Sequence, residues 1–214
     1  MKKCVVVDLD NTLVTVNSLK EMTGMLLWKL IKTGKAGDLY RVLTQILKRR
    51  FHLIPHSDMK HTLVATALKN LTAPDLDSLA EKLNGKINSR VKDIIIQNSE
   101  KGNFILLATA APDFYLGKFI EKSGFKNIDY IGTPFQTILP DYKENKGEEK
   151  LGKVLEYLKA NDLECVSVIS DHEDDLPLFK HFQHCENYLV KPNAKTIETI
   201  RQSLPSDSHF PKII

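Results

Sequence analysis

The stretch CVVVDLDNTLV at residues 4–14 joins an unbroken apolar run to two aspartates, Asp8 and Asp10, with one residue between them. An apolar run this short and without alternation suits a strand buried on both faces, the condition of a parallel sheet covered by helices on either side. Side chains at i and i+2 of a strand share a face, so Asp8 and Asp10 point the same way where the strand runs out. In open α/β sheets that edge is where ligands bind. Two carboxylates this close repel each other unless a cation lies between them or one holds a proton. Hard oxygen donors of this kind suit Mg²⁺.

Four more apolar, β-rich runs follow: FILLATA (104–110), IDYIGTPF (128–135), VSVIS (166–170) and NYLV (187–190). Helical patterns separate several of them. DFYLGKFIEKSG (113–124) ends in a glycine stop, EEKLGKVLEYLKAND (148–162) lines up Leu151, Val154, Leu155 and Leu158, and KTIETIRQSL (195–204) closes the series. Strands alternating with helices of this length predict an α/β fold with a doubly wound, mostly parallel sheet. The tail, 205–214, is expected to be loosely ordered.

Residues 17–100 carry helical periodicity and little strand signal. Leu39, Val42, Leu43, Ile46 and Leu47 form one stripe, and Met59, Leu63, Ala67 and Leu71 another. TAPD at 72–75 has capping-box spacing ahead of a third face, Leu76, Leu79, Ala80 and Leu83. An all-helical insertion of this size between two strands of a parallel sheet predicts a separate cap over 17–100, with 1–16 and 101–214 as the core. Trp28 and its neighbouring leucines are expected in the cap interior; the less favoured reading of such a face is contact with a lipid-like substrate or a partner.

Composition narrows the classes. With 42% hydrophobic and 27% charged residues the chain supports a sizeable core and an ordinary soluble surface. A net charge of +3 without a long basic run argues against nucleic acid, and KRRFH (48–52) reads as a solvated helix end. MLLWKLI (25–31) falls far short of the ~20 residues of a membrane span. Three cysteines without a CxxC predict a reducing, cytoplasmic setting. His172, His181 and His184 lack the partners of a zinc site, and KTGKAG (32–37) lacks the full phosphate-loop pattern and reads as a turn between helices.

A second acidic group, SDHEDDLP, follows the VSVIS run and supplies Asp171 and Asp175. A third strand ends in Thr109, whose hydroxyl and following backbone N–H groups suit an anionic oxygen. Lys146 and Lys150 start a helix and are candidates to counter phosphate and carboxylate charge. Taken in order, DLDNTL, LLATAAP, KGEEK and SDHEDDLP resemble the four motifs of the haloacid dehalogenase superfamily, over nearly the whole chain. LVKPNAK (189–195) and a helical cap between the first two motifs are similar to its phosphoserine-phosphatase-like branch.

The resemblance implies a Rossmann-like core and a Mg²⁺-dependent phosphatase acting on a small phosphorylated metabolite. It implies Asp8 as nucleophile, forming a phosphoaspartate, and Asp10 as general acid and then base. Thr109, Ala110 beside it and Lys150 would bind the phosphoryl oxygens, with Lys146 as the alternative lysine. Asp8, the main chain of Asp10, Asp171 and Asp175 would hold or support the metal. Ser170 and His172 depart from the usual small residues of the fourth motif. Asn17 stands where the branch places an acid for the substrate ammonium, with Glu21 the nearest acid, which counts against phosphoserine. Two other readings use the same aspartate: a phosphotransferase or mutase, told apart by phosphate passing to an added alcohol, and a receiver-like signalling module, told apart by a long-lived phosphoaspartate. The cap's Arg41, Arg49, Arg50, His52 and His56 receive no role.

Overall fold

The computed structural model describes residues 2–135, 143–205 and 209–214. Among these, six strands form one sheet: β1 (Lys2–Val7), β2 (Phe104–Pro112), β3 (Ile128–Thr133), β4 (Leu163–Ser170), β5 (Tyr188–Leu189) and β6 (Lys212–Ile213). Every neighbouring pair is parallel, in the order β3-β2-β1-β4-β5-β6. The chain winds outward from β1 in one direction and then crosses to β4, so the switch point lies between β1 and β4. This is the Rossmann order and not the 2-1-3-4-5 order of flavodoxin-like sheets, to which receiver domains belong.

The alternation of a strand explains how a purely apolar run serves two cores. Val5 and Val7 of β1, with Ile105 and Leu107 of β2, face one apolar cluster; Cys4 and Val6, with Leu106 and Ala108, face the other. The second cluster is closed by α7 (Glu148–Ala160), α8 (Leu176–His181) and α9 (Ala194–Ser203). The first is closed by α6 (Leu116–Ser123) and by helices of the insertion. That insertion runs between β1 and β2 as α1 (Ser18–Lys32), α2 (Ala36–Arg50), α3 (His56–Asn70), α4 (Ala73–Asn84) and α5 (Ser89–Glu100). The capping box at α4 forms as its spacing predicts: both the N–H and the hydroxyl of Thr72 donate to Asp75 Oδ2.

The chain entering α1–α4 pairs with the chain leaving them. Val14 and Ile87 form an antiparallel bridge, Asn88 N–H donates to Leu13 O, and Thr15 N–H donates to Lys86 O. Beyond this two-stranded stalk, α5 packs on β2 and α4 packs on α6.

Three expectations are corrected. The tail is not merely loose: Lys212–Ile213 pairs with Tyr188–Leu189 as an edge strand, a non-local partnership that a two-residue run cannot announce. Trp28 is not in the helical interior but 60% exposed. Met22, Leu26 and Leu30 face inward at four-residue spacing, and Trp28 lies two residues on from Leu26, roughly 200° around the helix. On α2 only Val42 is buried, Leu39 and Ile46 are half-buried, and Leu43 and Leu47 turn outward.

Gly132 on β3 is required by close packing. A Cβ there would stand 2.7 Å from Leu116 Cδ1 and 2.9 Å from Asp113 Cα. Leu116 can shift, but the Asp113 backbone cannot do so cheaply. Gly132→Ala is therefore expected to cost about 1–3 kcal/mol by overpacking, a fall in Tm of about 2–4 °C for each kcal/mol in a chain of this size. Calorimetric melting checks it, and an unchanged Tm would mean the strand has slack here.

Candidate active site

Strand register places the rim of the site. Val7 is level with Leu107 of β2 and Ile169 of β4. Asp8 follows while still in the ladder, its N–H donating to Ile169 O at 2.9 Å. Thr109 and Asp171 stand two residues beyond those partners, so three neighbouring strands deliver Asp8, Thr109 and Asp171 to one edge, at the switch point. Past Asp8 the chain folds back in a tight turn: Leu13 N–H donates to Asp8 O, Val14 N–H donates to Leu9 O, and Asn11 takes a positive φ of 58°. The turn holds Asp10 against the start of α1, where Asp10 Oδ1 accepts the Ser18 N–H at 2.8 Å. A carboxylate at a helix N-terminus gains from the dipole as well as the hydrogen bond.

The lysine comes from the first turn of α7. Lys150 is buried, with Nζ 2.9 Å from Asp8 Oδ1, 2.7 Å from Asp175 Oδ1 and 2.9 Å from Asp175 Oδ2. Asp175 is buried too and also accepts the Ser170 hydroxyl at 2.6 Å. The serine that departs from the motif thus helps fix the aspartate that holds the lysine. Lys146 precedes the helix, half exposed, and pairs with Asp174 at 2.8 Å. Asp171 Oδ1 accepts from the Thr12 hydroxyl at 3.2 Å. Thr109 is buried, and its Oγ1 accepts the Ala111 N–H at 3.1 Å.

The electrostatics are lopsided. Burial pushes Asp8 up to about 8; Lys150 pulls it down, but Asp175, Asp171 and Asp10 push it up again. Burial raises Asp171 to about 6 against the pull of His172 and Thr12. It also raises Asp10 despite the Ser18 hydrogen bonds. Burial alone would discharge Lys150, but Asp175 and Asp8 more than reverse this and keep it charged. Three carboxylates at one rim therefore all lack positive charge, and one lysine does not supply enough. Among the described residues no group of three or more His, Cys or acidic side chains is placed to hold a metal ion by itself. Mg²⁺ does not ask for one, since it keeps several waters and binds through one or two carboxylates plus substrate phosphate. The charge deficit and the all-oxygen donors fit that ion.

The rim opens into a cavity of about 640 Å³ under the inserted helices. Asp8, Asp10, Thr109, Ala110, Lys146, Lys150, Asp171 and Asp175 all line it. The inserted helices give it an apolar stretch, Leu19 and Leu27 of α1, Ile46 of α2, Met59 and Leu63 of α3, interrupted by Lys20 and Thr23 of α1 and His56 and Lys60 of α3. Asn17 lines it as well, but its side chain is spent capping α1 by accepting the Lys20 N–H at 3.0 Å. Glu21 is tied to Lys82 at 2.6 Å and does not line the cavity. Of the unassigned basic residues only His56 lines it, while Arg41, Arg49, Arg50 and His52 do not.

Lys60 and Glu144 also line the cavity, and neither is marked by the sequence pattern. Lys60 of α3 is buried, donates to Ala110 O at 2.6 Å and lies 3.3 Å from Glu144. Burial works against the charge of Glu144, yet His56 and Lys60 bring it down to about 2. A lone lysine in a helical pattern normally signals a solvated face, so no sequence signal marks Lys60 as buried. LLATAAP does indicate that the strand beneath it ends in free backbone groups.

The site is thus framed by a Rossmann-ordered sheet with acids at its switch point, a buried lysine joining Asp8 to Asp175, and helices across the opening. The family model for haloacid dehalogenase-like hydrolases matches residues 5–180, and the chain belongs to that family. Among curated proteins none matches the chain by sequence. Solved structures share the fold at low identity. A Bordetella pertussis protein with unknown function superposes with a TM-score of 0.70 at 17% identity, covering 100% of this chain and 99% of its own. A HAD family hydrolase from Salmonella enterica serovar Typhi gives 0.61 at 10% identity, covering 94% of this chain and 65% of its own. A substrate-bound phosphoserine phosphatase gives 0.58 at 16% identity, covering 93% and 90%.

Proposed function

We propose that the chain is a Mg²⁺-dependent phosphatase that hydrolyses a small phosphomonoester through a phosphoaspartate on Asp8. The observation that carries this is the convergence of four segments, at Asp8 and Asp10, Thr109, Lys150 and Asp171, on one cavity floor. With Oδ1 of Asp8 held by Lys150, Oδ2 attacks phosphorus and the bond to the leaving oxygen breaks. Asp10, whose raised pKa keeps a proton available, protonates that oxygen as the alcohol departs. Water then attacks the phosphoaspartate, Asp10 takes its proton, and phosphate leaves with Asp8 restored. Thr109 and Lys150 bind the phosphoryl oxygens as charge spreads over them. Asp8, the Asp10 carbonyl and Asp171 would hold the ion, which supplies the positive charge that the rim lacks. Asp175, engaged by Lys150 and Ser170, acts by fixing the lysine.

The helices between the arms of the stalk, α1 to α4, act as a cap, with α5 returning the chain to the core. The apolar stretch they present, and the absence of an α1 acid from the cavity lining, favour a substrate other than phosphoserine.

Purified protein is expected to hydrolyse an aryl phosphate with Mg²⁺, to lose this in EDTA and to regain it on adding the ion. Mg²⁺ should also raise Tm, because a ligand of the native state stabilises it by mass action, and Asp171→Asn should remove that rise. Hydrolysis indifferent to EDTA would overturn the metal assignment.

A further inference from the structure

We infer that the outer face of α1 and α2, with the turn after α2, docks on an anionic lipid bilayer. The exposed apolar side chains of the molecule concentrate there: Trp28 and Ile31 on α1, Tyr40 and Leu47 on α2, and Phe51 and Leu53 beyond it. The residues at 40, 43 and 47 of α2 and the C-cap Phe51 fall within roughly an 80° arc at 100° per residue, so they form one stripe. This stripe is separate from the inward face that holds Val42 and Ile46. A monomeric soluble surface scatters such residues singly; a stripe of large apolar side chains along one helix face marks a contact.

Charge selects the partner. Residues 28–53 hold seven Lys or Arg against a single acid, a formal +6 in a chain whose total is +3, so the rest of the molecule is net acidic. That acid, Asp38, is already taken by Lys69 and Asn70. Among the described residues Arg41, Lys48, Arg49 and Arg50 form no ion pair. Lys48 and Arg41 lie beyond one edge of the apolar stripe and Arg50 beside the other, and Lys32 lies over the Trp28 ring at 4.8 Å. Aromatic and aliphatic side chains at interfacial depth, with long cations reaching to headgroups around them, are what an in-plane amphipathic helix presents to an acidic membrane. A second copy of the chain fits poorly, because a two-fold interface would set the same cations against one another. Among the described residues no helix is long and apolar enough to cross a membrane, so the contact is peripheral.

Trp28 is the single tryptophan of the chain and reports directly on the contact. The full chain is mixed with vesicles of phosphatidylcholine, alone or with phosphatidylglycerol. Sedimentation with the anionic vesicles is expected, with a blue shift of Trp28 emission and protection from aqueous acrylamide. Both should weaken with salt. Arg41→Gln and Lys48→Gln are each expected to lower partition roughly fivefold. Leu47→Glu combined with Phe51→Glu should abolish binding while leaving circular-dichroism melting and aryl-phosphate hydrolysis unchanged, since neither side chain lines the cavity. Asp8→Asn should bind vesicles as the wild type does, which separates this test from that of the catalytic reading. No binding to anionic vesicles overturns the proposal. So does binding that survives the double substitution, or a blue shift that arises from self-association without lipid.

Discussion

Asp8→Asn is expected to abolish aryl-phosphate hydrolysis, by at least about 10⁴-fold, the scale on which nucleophile removal acts in enzymes that form covalent intermediates. It should also abolish a covalent phosphoprotein. In the wild type the proposed phosphoaspartate should be reducible with borohydride and then found by mass spectrometry at residue 8; in the variant that position should stay unmodified. The same substitution has an opposite effect on stability. Burial and the neighbouring acids push Asp8 up to about 8, while in the unfolded chain it titrates near the ordinary carboxylate value. A raised acid costs the folded state stability as pH climbs from about 4 to about 8, because the unfolded chain gives up its proton first. The asparagine amide resembles the protonated carboxyl and escapes that cost. Without divalent ions, Tm of Asp8→Asn relative to wild type should therefore rise between pH 5 and pH 8. Undiminished hydrolysis by the variant would remove Asp8 from the nucleophile role, and a flat Tm difference would mean its charge is well tolerated where it stands.

The loss of activity and the gain in stability have one source. A carboxylate is held where its charge is under-compensated, ready for a cation and a phosphoryl group. Active sites are often built this way, at the expense of the fold around them.

Much of this arrangement is legible in the residues themselves. CVVVDLD puts two acids on one face at a strand end, because a doubly buried strand needs an unbroken apolar run and side chains repeat every second residue. The order of motifs then suggests that other segments meet the same edge. What a local pattern cannot supply is any decision made by tertiary neighbours. MLLWKLI is apolar almost all the way round a helix, so periodicity does not reveal that Leu26 and Leu30 turn inward and Trp28 outward. Lys60 is buried only because Ala110 O and Glu144, both distant in sequence, surround its ammonium. Tyr188–Leu189 and Lys212–Ile213 are too short to read as strands until each meets its neighbour. Lys146 and Lys150 look equivalent on paper, one turn apart. Gly147, at a φ of 60°, turns the chain between them, leaving the first at the mouth of the cavity and aiming the second at its floor.

That difference sets the second large effect. Lys150→Met should lose activity and also destabilise the fold by about 3–5 kcal/mol, the usual cost of breaking a buried ion pair by removing one partner. The side chain holds Asp8 and Asp175 together in a nearly solvent-free place. Without it, two buried carboxyls face each other, and each must take a proton or draw in water. At about 2–4 °C per kcal/mol in a chain of this size, Tm should fall by roughly 10 °C. Lys146→Met removes only a half-exposed pair with Asp174, and should cost no more than about 1 kcal/mol. Adding Asp175→Asn to Lys150→Met removes one of the stranded carboxyls. The double variant should recover part of the lost Tm and none of the activity, a coupling that thermal melts of the four-member cycle measure directly. If Lys146→Met proved the more damaging of the two single changes, the roles given to the two lysines would have to be exchanged. If the double variant were the plain sum of its parts, Asp175 would have no hold on Lys150, and the lysine would need another anchor.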